Sequence, residues 1–420
     1  MAEHLSRRGH AVSNPPLSEY IREHFARAGQ DSGQSERPYI GLCVAENRSM
    51  WEVLTPQLAR YRDVPPRVLG YDSMIGSLDF RHKLAAFMGR AFLGRAIKGG
   101  ELAVVAGAGA VLELLFHVLA DPGDGVLIPT PSYAGFWTDL ENRDQLRAVP
   151  VHCSSEDGFE LRVEALERAR LEAEKSGIPI KALIFTSPNN PLGWVYTREQ
   201  LEAVLTWAES AHVHVVFDEI YALSVFGKPF VSAAAVRASL GPMVHVVWAF
   251  SKDFGASGLR CGVLWSENPA VLAGVDALAY WAACSGDTQH LLGSLVSDTP
   301  FVDGYITRMR ARLGESYAAV TAALDAHNVP HVKAEAGFFL ICDLRKWLPE
   351  QTFAGEAKLW RRLIDKANVN LTPGSACRIS EPGFFRLCYA SEAVPTVLEA
   401  VRRIGSVLAG RGAPGGRALL

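Results

Sequence analysis

Between residues 100 and 270 the chain alternates short apolar runs with longer segments of helical periodicity. The apolar runs are ELAVVAG, GVLIPT, RAVPVHC, IKALIFT, HVHVVFDEIY, MVHVVWAF and CGVLWSE. They are short, rich in β-branched residues and bounded by turn formers, a pattern that predicts buried strands. Between them, AVLELLFHVLADPGD places Val111, Leu114, Leu115 and Val118 on one helical face and stops at Pro122-Gly123. TREQLEAVLTWAESA opens on Thr197 with Gln200 at the capping-box position. Strands alternating with amphipathic helices predict an α/β fold with a large domain built on a mostly parallel seven-stranded sheet. Beyond residue 300 the rhythm changes to a long helix (DGYITRMRARLGESYAAVTAALDAH), short strands (HVKAEAGFFLICDL, FFRLCYA) and a last helix near 391–409. That reads as a smaller α+β domain. The predicted organisation is an N-terminal arm and part of the small domain over 1–60, a large domain over 61–300, the small C-terminal domain over 301–410 and a disordered tail over 411–420.

Composition narrows the picture. With 420 residues the chain can bury a large core. Basic and acidic residues number 42 and 45, a net charge of -3, so neither nucleic acid nor an anionic membrane is expected as a partner. The seven cysteines (Cys43, Cys153, Cys261, Cys284, Cys342, Cys377 and Cys388) are scattered, without a CxxC pair. They read as reduced core residues rather than disulfides or ligands of a metal, and no metal site is expected. The stretch MAEHLSRRGHAVSNPP lacks the apolar core of a secretory leader, and no apolar stretch approaches the length of a membrane span. A cytoplasmic protein is expected.

Ligands of open α/β sheets sit at the carboxyl ends of the strands. At those ends stand Ala108, Gly109 and Ala110, at a turn leading into a helix, whose backbone N–H groups suit an anion. Tyr133 follows in PTPSYAGF, Asn190 in SPNNPLG, Asp218 and Tyr221 in FDEIY, and Ser251, Lys252 and Arg260 in FSKDFGASGLR. Singly, each has a plain structural use: a packing turn, a half-buried tyrosine, a turn asparagine, a surface lysine beside an arginine. Jointly they suit pyridoxal phosphate. Its aldehyde needs a lysine. Its ring nitrogen needs a carboxylate. Its phenolate oxygen needs donors, and its phosphate needs backbone N–H groups and a guanidinium fork. A lysine has an ordinary pKa of about 10.4, so service as a base near neutrality requires it to be depressed. Burial beside the cationic ring and Arg260 is the expected cause.

With those residues in place, the chain resembles the fold-type I pyridoxal-phosphate enzymes of the aspartate aminotransferase superfamily. Within it, the chain is most similar to the 1-aminocyclopropane-1-carboxylate (ACC) synthase branch. GLCVAENR, GSLDFRHKLAAFMGR, LADPGDGVLIPTPSYAGFWTDL, SPNNPLG, FDEIYALSVFG, FSKDFGASGLRCG, TQHLLGSLVSD and LTPGSACRISEPGFFRLCYA carry the resemblance, over roughly residues 38 to 408. It implies roles at the matching positions. Lys252 would link to the cofactor and act as acid and base at Cα. Asp218 would pair with the pyridine nitrogen, Tyr221 and Asn190 with the phenolate oxygen, and Tyr133 would stack on the ring. Ser251, Arg260 and the Ala108–Ala110 backbone would hold the phosphate. Arg386 would clamp the substrate α-carboxylate, and Glu46 would lie near the substrate. Tyr71 would reach the neighbouring subunit's phosphate, which implies a homodimer with shared active sites.

Three positions depart from the branch. Ala249 stands where a serine is usual, Gly109 and Ala110 stand in a turn that commonly carries a hydroxyl, and Met74 replaces a tyrosine on the substrate-facing side. The first two predict modest cofactor affinity. The third sets ring closure beside other outcomes. The resemblance implies S-adenosylmethionine as substrate, a Cα quinonoid and loss of methylthioadenosine. The product is ACC or, with a second substrate, a γ-substitution or annulation product of specialised metabolism. The alternative is an aminotransferase acting on an aromatic or neutral amino acid with 2-oxoglutarate. A non-catalytic binding module is the reading from another class, and the joint presence of Lys252, Asp218, Tyr221 and Arg386 argues against it.

Overall fold

The structure is a computed structural model that describes residues 4–13, 17–28 and 37–410. The tail expected over 411–420 lies outside the described residues. Twelve strands are present among them: β1 (Ile40–Gly41), β2 (Leu102–Val105), β3 (Gly125–Thr130), β4 (Arg147–His152), β5 (Ile180–Thr186), β6 (His214–Asp218), β7 (Val244–Ala249), β8 (Gly262–Ser266), β9 (Phe339–Asp343), β10 (Val369–Asn370), β11 (Thr372–Pro373) and β12 (Phe384–Cys388). Each of the seven apolar runs read as a strand forms one, β2 to β8. They make one sheet in the order β2-β8-β7-β6-β5-β3-β4. Strands β3 to β7 pair in parallel, and β8 runs antiparallel to both of its neighbours.

A sheet covered on both faces must bury alternate residues in opposite directions. Here Val104, Leu127, Leu183, Phe185, Val215, Phe217, Val246 and Trp248 join one core. Their chain neighbours Ala103, Val126, Ala182, Ile184, Val216 and Val247 join a second. Helix 108–119 covers the second face with Val111, Leu114 and Leu115, as its periodicity predicts. Helix 198–211 starts on the expected capping box, in which the Thr197 hydroxyl accepts from the Gln200 amide and the Gln200 side chain accepts from the Thr197 amide. All seven cysteines are free and buried. Among the described residues no helix is long and apolar enough to cross a membrane.

The remaining strands make two small sheets. β11, β12 and β9 form an antiparallel trio, with Arg386 in register between Thr372 and Ile341. β1 pairs in parallel with β10. The long helix Thr299–Ala326 leads into this part, and helices 353–367 and 394–408 pack on it. Asn370 is the buried knot. Its amide donates to the Tyr20 carbonyl at 2.8 Å and to the Tyr39 hydroxyl at 3.0 Å, and its oxygen accepts from the Trp360 indole at 3.1 Å. Asn370→Ala removes these three buried hydrogen bonds at once, a loss of about 1–3 kcal/mol. Denaturant unfolding should show that loss, and an unchanged midpoint would contradict it.

Candidate active site

The carboxyl ends of β2, β3, β5, β6 and β7 meet at one edge of the main sheet. At the end of β2 the chain turns through Gly107, whose φ of +97° suits glycine. No side chain caps the helix that follows, which leaves its first amide groups, from Ala108 to Ala110, open to an anion. Arg260 closes the cup. Its backbone is left-handed (φ +48°), and its guanidinium donates to the Ser257 carbonyl at 3.0 Å and the Ala106 carbonyl at 3.2 Å. A Cβ on Gly107 would stand 2.4 Å from an Arg260 nitrogen, so only glycine admits the arginine there.

Tyr133 leaves β3 with its ring partly exposed and edge-on to Phe136, 5.3 Å between centroids. After β5, two adjacent asparagines divide the work. Asn189 serves the turn, accepting from the Leu192 amide and donating to the Tyr196 hydroxyl. Asn190 faces inward: its amide donates to the Tyr221 hydroxyl at 3.3 Å, and its oxygen accepts from Arg386 at 3.0 Å. The Tyr221 ring is held edge-on by Phe338 and Phe339.

Asp218 ends β6, and its carboxylate accepts from the Ile220 amide at 3.3 Å. It forms no ion pair within 4 Å among the described residues. Burial raises its pKa to about 7, outweighing the Ile220 amide and the charge of Lys252, which does not pair with it directly. Lys252 stands one step beyond its strand, in the helical turn Phe250–Asp253 rather than at the end of β7 itself. Its ammonium donates to the Ala45 carbonyl at 2.5 Å. Burial first, and the charge of Arg386 second, lower its pKa to about 8. That corrects the sequence expectation: the protein cation acting on Lys252 is Arg386, whereas the Arg260 guanidinium is taken up by the Ser257 and Ala106 carbonyls beside Gly107.

Arg386 is 4% exposed and donates to Asn190, to the Cys43 carbonyl at 2.7 Å and to the Thr372 hydroxyl at 3.2 Å. Its Nε is buried without a partner. The hydroxyls of Ser132 and Ser187, just past β3 and β5, are likewise buried and unpartnered. Ser251 is buried beside Lys252. Glu46 follows Ala45, and its carboxylate accepts from Arg48 at 2.6 Å and from the Ser257 hydroxyl at 3.2 Å.

Two candidates lie apart from this constellation. Tyr71 is 96% exposed and lines a cleft of about 480 Å³ together with Met74, Tyr280, Gln289 and His290. Met74 also packs on the second core. Sequence reasoning missed the carbonyls of Cys43 and Ala45 and the hydroxyl of Thr372. Backbone carbonyls carry no residue signature, whereas Thr372 stands inside LTPGS, a segment already singled out.

The arrangement fits pyridoxal phosphate: an anion cup, a carboxylate without a cation, two donors at a phenolate position, a depressed lysine and an arginine with a free N–H. It defines a fold-type I pyridoxal-phosphate enzyme. The family model "Aminotransferase class I and II" matches residues 37–404. The chain is 39% identical over 353 residues to 1-aminocyclopropane-1-carboxylate synthase 4 of Oryza sativa subsp. japonica, covering 78% of this chain and 71% of that protein. It is 36% identical over 381 residues to 1-aminocyclopropane-1-carboxylate synthase-like protein 1 of Arabidopsis thaliana, covering 89% and 75%. Among solved structures, Thermus thermophilus aspartate aminotransferase with maleate matches with a TM-score of 0.81 at 22% identity, covering 96% of this chain and 99% of that one. The chain therefore belongs to the class I and II aminotransferase family, near its ACC synthase branch, and its cofactor is pyridoxal phosphate.

Two substitutions test the site. Lys252→Ala should abolish the absorbance of the lysine-linked cofactor and leave at most that of the unlinked aldehyde; a retained lysine-linked band would sink the assignment of that lysine. Gly107→Ala should weaken cofactor binding about tenfold or more, because the added carbon forces Arg260 off the cup. Equilibrium titration of cofactor into the apoprotein reads the effect, and unchanged affinity would contradict it.

Proposed function

We propose that this enzyme uses S-adenosylmethionine, removing the Cα proton and releasing methylthioadenosine from Cγ. The observation that carries an amino-acid substrate is the buried Arg386, whose Nε has no partner and whose charge acts on the Lys252 amine. A guanidinium fork holds an α-carboxylate through two N–H groups, and that places Cα over the lysine. Bound pyridoxal phosphate supplies the electron-accepting ring that makes a Cα proton removable. The protein supplies the rest. Lys252, with its pKa near 8, takes the proton once its amine is free. Asp218 would balance a positive ring nitrogen, and Tyr221 and Asn190 would donate toward the ring oxygen. Tyr133 would pack on the ring. Arg260, Ser251 and the 108–110 amides would hold the phosphate. Glu46, held by Arg48 and Ser257, lies beside the substrate side chain.

The similarity to proteins named as ACC synthases supports the choice of S-adenosylmethionine. Met74 leaves two outcomes of comparable weight: closure to ACC, or capture of the activated carbon chain by a second molecule. The exposed Tyr71 cleft, flanked by exposed Leu69 and Trp281, supports a homodimer in which Tyr71 completes the partner's phosphate site. A cytoplasmic location completes the reading. The family match and the aminotransferase fold neighbours support a second reading, transamination of an aromatic or neutral amino acid with 2-oxoglutarate.

One incubation separates these readings: loaded enzyme with S-adenosylmethionine in deuterated water, followed by mass spectrometry. Methylthioadenosine with ACC gives the synthase. Deuterium at Cα without methylthioadenosine means that a second substrate is required. If neither appears, alone or with candidate acceptors, the proposal is wrong and amino donors with 2-oxoglutarate are next.

A further inference from the structure

Behind the lysine lies a carboxylate that the proposed chemistry does not use. Asp253 is fully buried and points away from the cofactor side, into the body of the large domain. It accepts three hydrogen bonds from two segments. The Leu223 amide donates at 3.1 Å, the Ser224 hydroxyl at 2.7 Å and the Trp248 indole at 2.9 Å. Leu223 and Ser224 belong to the turn that carries Tyr221, and the Ser224 amide donates to the Tyr221 carbonyl at 3.0 Å. Trp248 belongs to β7 and packs against Phe87, Phe92, Phe250 and Phe254, so it is a fixed post. The long helix reinforces the same turn, since Arg310 donates to the Leu223 carbonyl at 2.9 Å. The Ser224 carbonyl in turn accepts from the Gly337 amide at 2.8 Å. Gly337 leads into Phe338 and Phe339, the two rings edge-on to Tyr221, and the Arg386 guanidinium lies 5.6 Å above the Phe339 ring.

We propose that Asp253 is a positioning residue: it sets the separation between the Lys252 amine and the Tyr221 hydroxyl and, through Ser224, ties both to the strand that supports Arg386. The argument is geometric. Lys252 and Asp253 are neighbours in one helical turn, so anchoring the carboxylate fixes the lysine's backbone. The same carboxylate grips the Tyr221 turn two and three residues past the tyrosine. No other group among the described residues joins those two turns by side-chain hydrogen bonds. A buried carboxylate with three donors is rigid, because each lost bond leaves a desolvated group behind. The proposal rests on the assignment of Lys252 and Tyr221 to the cofactor. Tyr221 donating to the cofactor oxygen stabilises its anionic form, so a displaced Tyr221 raises the pH at which the lysine-linked cofactor loses its proton.

The test compares Asp253→Asn, Ser224→Ala and a control, Glu219→Gln. Glu219 is equally buried and holds a neighbouring loop through the Ser232 hydroxyl and Ala233 amide, with no bond to the lysine turn. All three variants should lose thermal stability. In cofactor-free protein, Asp253→Asn should raise amide hydrogen exchange about tenfold in both 221–224 and 250–256, and Glu219→Gln only around 232–235. In loaded protein, the pH midpoint of the visible band should rise by about one unit in Asp253→Asn, less in Ser224→Ala and not at all in Glu219→Gln. An equal shift in the control, or an unmoved midpoint in a folded Asp253→Asn, overturns the proposal. If Asp253→Asn does not fold, Ser224→Ala decides: an unmoved midpoint with unchanged exchange at 250–256 overturns it. Failure of the lysine assignment itself shows separately, as a lysine-linked band that survives Lys252→Ala.

Discussion

A guanidinium taken out of water must find acceptors, and Arg386 finds them on three different parts of the chain. Cys43 lies just past β1, Thr372 in β11 and Asn190 in the loop after β5. Isolated buried charges are costly, and satisfying this one requires all three segments to be in place together. The small sheet is thereby pinned to the large one across the site. Three of its five N–H groups are used in this way, and the buried Nε–H has no partner in the protein. Structural necessity and binding capacity thus sit in one side chain.

The same burial acts in opposite directions on the two groups that flank the cofactor position. It lowers the Lys252 amine to about 8 and raises Asp218 to about 7. Desolvation penalises whichever form is charged, so one environment makes an ammonium acidic and a carboxylate basic. Both groups are brought close to neutrality without a dedicated partner for either. A positively charged ring nitrogen beside Asp218 would restore its ionised form. The apoprotein is electrostatically incomplete at the place where the cofactor belongs.

Much of this was legible in the chain. Strands with two covered faces read as continuous apolar runs, which is why β2, β3 and β5 to β8 were legible; β4, at the edge and largely half-exposed, is legible instead from its short β-branched run between turns. Polar residues at or just past the ends of such runs each have a plain structural use, and Asp218, Asn190 and Lys252 stood out only together. What escaped has a common cause. The carbonyls of Cys43 and Ala45 depend on contacts across hundreds of residues, and the bonds of Asp253 reach 29 and 30 residues to another turn; neither periodicity nor composition encodes them. The neighbour of Lys252 was misjudged for the same reason. Arg260 is near in sequence, but its guanidinium is taken up by the Ser257 and Ala106 carbonyls beside Gly107, while Arg386 arrives from the far end of the chain.

That distance matters for how the protein is made. The Arg386 to Cys43 hydrogen bond spans 343 residues, and β1 pairs with β10 at a similar separation. A ribosome works from the amino end, so the Cys43 carbonyl emerges early and meets Thr372 and Arg386 only when translation is nearly complete, whereas Ala45 and Glu46 find Lys252 and Ser257 midway. The large sheet can condense meanwhile, since β2 to β8 are contiguous in the chain. Its catalytic edge stays open to water until the last segments arrive. Loading with cofactor before that moment would meet the cup and the lysine without the arginine, so the competent site is a late event in the life of each molecule.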